Sequence, residues 1–118
     1  MQDLKERYKK FAIKVAVLIR ELPKNTINNA YCNQLIRSSS SPGTNYRAAL
    51  RGKSTADFIN KLKIVEEELD ESTYFLDLLL NFNPGNETEI KKLMKKGDEL
   101  LAITVKSIQT THSKLRTS

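Results

Sequence analysis

A chain of 118 residues and 13.5 kDa has room for one domain, 1–118, built on one core. With 39% apolar and 29% charged residues but only four Gly and three Pro, it is too apolar for disorder and too poor in turn residues for a many-stranded β protein. The net charge of +6 is unevenly spread: residues 1–51 carry +7, residues 52–86 carry −4 and residues 87–118 carry +3.

The single cysteine, Cys32, excludes an intramolecular disulfide, and the single histidine, His112, leaves no His/Cys zinc cluster. Lys14 and Arg20 interrupt the stretch Phe11–Leu22, so it reads neither as a signal-peptide core nor as the ~20 apolar residues of a membrane span. A soluble, cytoplasmic protein without metal, cofactor or small-molecule substrate is expected.

Four helices follow in chain order. Between residues 3 and 22, Leu4, Tyr8, Phe11, Ala12, Val15, Leu18, Ile19 and Leu22 trace one helical stripe, started by Asp3 and stopped by Pro23. A second helix over 26–51 takes Asn25 as its cap and Gly52 as its closing glycine, with Ile27, Tyr31, Leu35, Ile36, Ala49 and Leu50 as its apolar residues. The third, 54–82, starts at Ser54, which is placed to cap the amide of Asp57. Its stripe is Phe58, Leu62, Val65, Leu69, Ser72, Phe75 or Leu76, and Leu79. Asn83-Pro84-Gly85-Asn86 is the clearest turn. The fourth helix spans 87–112, with Asn86 and Thr88 as rival caps and Ile90, Leu93, Met94, Gly97, Leu101, Thr104 or Val105, and Ile108 on its stripe. Residues 113–118 read as a frayed tail.

The run from Ser38 to Gly43 lies inside the second helix. Propensity makes it a linker, because an interior proline costs roughly 3 kcal/mol. Periodicity spans it, since Leu35, Ser38, Pro42, Asn45 and Ala49 continue one face, and small side chains let a neighbouring helix come close. The second reading is adopted: one long, kinked helix. Short connections then give an all-α, up-down-up-down four-helix bundle. The hairpin at 52–53 brings Arg37 level with Glu68 and Arg47 near Asp57. With Ser38, Ser41, Asn45 and Glu71 these form a polar seam between two otherwise apolar helices. The seam has no nucleophile, metal-binding histidine or phosphate-cradling glycine loop, so it reads as structural or as a subunit contact and no catalytic residue is assigned.

Residues 37–80 carry a resemblance. The run Arg37-Ser38-Ser39-Ser40-Ser41-Pro42-Gly43-Thr44-Asn45-Tyr46-Arg47-Ala48-Ala49 is followed by Ser54, Asp57-Phe58-Ile59, Lys61-Leu62, Ile64, Glu68, Glu71-Ser72 and Tyr74-Phe75-Leu76. Together they resemble the bacterial four-helix-bundle family of proteins encoded by intervening sequences within 23S rRNA genes, which is related to the accessory protein of diversity-generating retroelements. Ala48, Glu67 and Phe75 stand where that family usually has Glu, Lys and Trp. The resemblance implies a continuous second helix, a left-handed bundle, a ring-like homopentamer and no enzymatic activity. For the retroelement relatives it implies binding to reverse transcriptase and nucleic acid.

Candidate nucleic-acid contacts are the cations off the core stripes: Lys5, Lys9, Lys10, Lys14 and Arg20 on the first helix, and Lys91, Lys92, Lys95 and Lys96 on the fourth. They give phosphate-led binding, with few free aromatics for base stacking. The plainer reading of such lysines is a solvated face that keeps the bundle soluble. Two functions are therefore carried: an oligomeric RNA- or DNA-associated bundle, and a protein-interaction scaffold with no nucleic-acid role.

Overall fold

The computed structural model describes residues 3–117. Four helices, α1 (Leu4–Glu21), α2 (Thr26–Leu50), α3 (Thr55–Phe82) and α4 (Glu87–Thr117), are joined by short turns, the last of which is a one-turn 3-10 helix at Pro84–Asn86. Three caps form as the residue types dictate. Asp3 accepts from the Glu6 amide at 3.0 Å, Asn25 from Asn28 at 2.8 Å and Ser54 from Asp57 at 3.1 Å.

Each helix packs against its sequence neighbours, and α4 closes the bundle on α1, which leaves α1 diagonal to α3 and α2 diagonal to α4. The result is an up-and-down four-helix bundle, a rod of 52 × 23 × 21 Å. Its core is a continuous column that includes Phe11, Val15, Leu35, Leu69, Leu76 and Leu100.

α2 runs unbroken through Pro42, which is itself buried. The reason is close packing on both sides. Ser38 and Ser39 are fully buried, and the Ser38 and Ser72 hydroxyl oxygens meet across the α2/α3 seam at 3.0 Å. Each buried serine also reaches a carbonyl of its own helix: Ser38 that of Leu35, Ser39 that of Ile36, and Ser72 that of Glu68. Polar atoms are therefore buried without losing their hydrogen bonds.

Several details differ from expectation. α4 continues to Thr117, past the predicted end at 112, and Lys114 and Arg116 in its last turn suit the negative end of the helix dipole. Ser118 lies outside the described residues. Thr88 sits inside α4, while Asn86 closes the 3-10 turn by donating its amide to the Asn83 carbonyl at 3.0 Å. Gly52 does close α2, but none of the described glycines has a positive φ; what a side chain there would meet is the Ala49 carbonyl, 3.1 Å from an added Cβ. Where two apolar residues adjoin, Ile59, Leu76 and Leu100 are the buried members, with Phe58, Phe75 and Leu101 half-buried at the edge. Gly97 is fixed by a closer approach, since a Cβ on it would sit 2.7 Å from the Thr73 methyl of α3 and 3.4 Å from the Phe11 ring of α1.

Candidate functional site

Three polar constellations stand out inside or between the helices. At one end of the rod, Asn28 and Asn83 exchange both amide hydrogen bonds at 2.9 Å, while Asn28 also donates to the Pro23 carbonyl and Asn83 to that of Leu79. Both are buried, and together they tie the α1–α2 turn to the α3–α4 turn. Near the other end the buried Tyr8 hydroxyl lies 2.7 Å from Thr104 Oγ1. Thr104 spends its proton on the Leu100 carbonyl, so Tyr8 is the donor. Burial pushes the Tyr8 phenol above its ordinary value, and burial likewise raises Tyr46, whose ring packs on Tyr8 at 5.1 Å. Sequence reasoning missed the asparagine pair as a buried feature.

The third constellation is the α2/α3 seam. Arg37 bridges Glu68, at 2.9 Å, and Glu71, as the hairpin register requires. Asn45 turns back onto Ser41 of its own helix, donating to the hydroxyl at 2.8 Å and the carbonyl at 3.0 Å. Arg47 and Asp57 do not join the seam: among the described residues neither forms an ion pair within 4.0 Å, and Arg47 instead lines a groove between α2 and α1. Ten residues separate Arg37 from Arg47, and at 100° per residue that rotates Arg47 about 80° away from the α3 side. The seam therefore consists of Arg37, Ser38, Ser72, Glu68 and Glu71.

The lysines predicted on two separate helices come together. Because α4 packs beside α1, Lys14, Lys92, Lys95 and Lys96 line one groove of about 450 Å³ together with Glu21, Glu89 and Glu99 and the apolar Val17, Leu18 and Leu93. Arg7, Lys10, Lys14 and Lys96 line a second, narrower groove further along the same seam. Part of this charge is already answered. Lys92 lies 3.7 Å from Glu89, and Glu99 sits between Lys96, at 3.5 Å, and Arg7, at 3.6 Å. Lys10, Lys14 and Lys95 have no carboxylate within 4.0 Å among the described residues. Lys91 turns away to Glu87 at 2.7 Å, and that contact holds the Glu87 carboxyl below its ordinary value. Arg20 is exposed in the last turn of α1, while Lys5 and Lys9 flank the opposite, α2 side of α1. The bridges of Lys91, Lys92 and Lys96 lie at the surface and are screened by solvent, so they do not lock these lysines away from another anion.

Other singled-out residues fall in quieter places. Cys32 is buried beside the α1–α2 turn, and burial pushes its thiol up against a weaker pull from Lys24. His112 lies half-buried within α4. Tyr46 is a packing residue, whereas Tyr74 is 59% exposed; Tyr31 lies between Phe75 and Phe82, ring centres 6.2 and 6.1 Å away. Among the described residues no group of acids, His and Cys is placed to hold a metal, and no helix is long and apolar enough to cross a membrane.

An up-and-down bundle with a serine-lined, arginine-bridged α2/α3 hairpin is the class that these features define. The chain belongs to the 23S rRNA-intervening sequence protein family, whose model matches residues 2–106. It is also similar to a solved structure from Bacteroides thetaiotaomicron VPI-5482, described as a protein with unknown function from the S23 ribosomal protein family. That likeness has a TM-score of 0.79 and 27% identity, and it covers 90% of this chain and 98% of the other. No curated protein matches the chain.

Proposed function

We propose that this protein is a non-enzymatic, ring-forming bundle that binds nucleic acid, free or within a ribonucleoprotein, through phosphate contacts made by its α1/α4 face. The observation that carries the reading is the gathering along one seam of Lys92 and Lys96 with Lys10, Lys14 and Lys95, of which the last three have no carboxylate within 4.0 Å among the described residues, although Glu21, Glu89 and Glu99 also line it. Clustered cations of this kind raise local anion density and release counterions on binding. A reverse transcriptase is the protein partner that the family resemblance suggests for the ribonucleoprotein form.

The test is fluorescence anisotropy with a labelled RNA oligonucleotide at low salt, comparing the wild type with Lys10, Lys14, Lys92 and Lys96 all changed to Glu. Each position is exposed, so the fold is retained, and affinity is expected to fall roughly a hundredfold or more as four phosphate contacts become repulsions. Equal affinity in the two proteins rejects the reading.

A homopentameric ring deepens it by repeating the same face around an axis. Support comes from exposed apolar side chains on α2 and α3, where Tyr74, Phe82 and Ile27 are 59%, 51% and 43% exposed, with Tyr74 one turn from Glu71 of the Arg37 bridge. Aromatic rings are enriched where subunits meet. Light scattering is expected to give about five times the 13.5 kDa protomer mass. A monomer mass removes the ring and leaves the alternative, a scaffold that meets another polypeptide at this same surface.

A further inference from the structure

We infer that the groove between α1 and α2 is a second phosphate site, organised by Arg47, where the nucleic-acid backbone is held on the far side of α1 from the α4 lysines. The inference rests on the nucleic-acid reading for its ligand, but its geometry is independent of the α1/α4 face.

Arg47 leaves the hairpin seam and enters a groove of about 410 Å³ with Lys5 and Lys9 of α1. None of the three cations has a carboxylate within 4.0 Å among the described residues, although Glu6 also lines the groove. Lys5 and Lys9 are one turn apart on α1, and Ser40 and Thr44 are one turn apart on α2, with Arg47 following on the same side. The two rows face each other across the groove.

The two hydroxyls in this groove are open to a ligand. Ser38, Ser39, Ser72, Thr73, Thr104, Ser107 and Thr111 each donate back to a helix carbonyl, as solitary helical hydroxyls commonly do. Ser40 and Thr44, like Ser41, Thr88 and Thr110, show no such bond among the described residues, and both are exposed. Free hydroxyl donors beside a guanidinium fork and two ammonium groups match a tetrahedral, doubly hydrogen-bonding anion, and Arg is the side chain best shaped to grip its oxygens in pairs.

α1 then becomes a ridge about 10 Å across with cations in the grooves on both flanks: Lys5, Lys9 and Arg47 on one side, Lys10, Lys14, Lys92, Lys95 and Lys96 on the other. A strand laid across the ridge places phosphates in both grooves. A strand confined to α1/α4 uses one.

The experiment is lysine acylation footprinting by mass spectrometry on the full chain. It compares the free protein, the protein with a single-stranded oligonucleotide, and the protein with inorganic tripolyphosphate. Wild type and Arg47→Ala are run in parallel, and exposed Lys63 of the acidic α3 serves as the internal reference. The oligonucleotide is expected to slow modification of Lys5 and Lys9 by roughly threefold or more at low salt, with most of that protection lost in Arg47→Ala while Lys92, Lys95 and Lys96 stay protected.

Protection of Lys92, Lys95 and Lys96 with Lys5 and Lys9 still reacting at the free rate overturns the second site and leaves the α1/α4 reading standing. Protection of Lys5 and Lys9 by tripolyphosphate alone, dependent on Arg47, supports the phosphate site and overturns the nucleic-acid reading. Protection by neither probe overturns both.

Discussion

Asn28→Leu is expected to destabilise the protein by about 3–4 kcal/mol in urea unfolding compared at equal protomer concentration. Leucine has nearly the shape of asparagine, so little is lost to packing. What is lost is a set of hydrogen bonds at a site only 2% exposed: the Asn83 side-chain oxygen and the Pro23 carbonyl lose their donor, and one amide bond of Asn83 loses its acceptor. Removing one partner leaves the other buried and unpaired, which costs about 1–3 kcal/mol per group. The double variant Asn28→Leu/Asn83→Leu is therefore expected to recover part of the loss, with a coupling energy of about 1–2 kcal/mol. A single variant as stable as wild type contradicts the latch between the two turns.

The second large effect is expected at the α2/α3 seam. Ser72→Leu inserts three extra carbons where Ser72 and Ser38 are both fully buried and their oxygens are 3.0 Å apart. The helices have to separate, and about 3 kcal/mol of stability is lost by overpacking. Ser38→Ala/Ser72→Ala removes both partners together and is expected to stay within about 1 kcal/mol of wild type, because no buried hydroxyl is left without its bond. Tolerance of Ser72→Leu shows that the helices are not in close contact there. That result removes the reason why α2 passes through Pro42 unbroken.

The four helices were legible because each stripe repeats at helical spacing and each start carries its cap: Asp3, Asn25 and Ser54 all accept the amide that the pattern assigns them. Adjacent apolar pairs were not resolved. Leu100 and Leu101 differ by 100° on the helix, and the direction from which α1 and α3 approach decides which is buried. The Arg37 bridge was legible from hairpin height alone, because Glu68 and Glu71 bracket its level. Arg47 was not, since the same height leaves its angle around the helix free.

Asn28 and Asn83 were hidden for a different reason. Asparagine near a helix end is ordinarily a cap or a turn residue, and nothing local announces a partner 55 positions away. The lysines were legible one helix at a time. Their union in one groove follows only when the bundle closes α4 onto α1.

Whether that union acts on a polyanion is tested most directly by the salt dependence of oligonucleotide affinity. Plotted as log K against log of salt concentration, binding to a single strand is expected to fall with a slope near −3, about four phosphates neutralised at roughly −0.7 each. A flat line, with affinity indifferent to salt, contradicts the account.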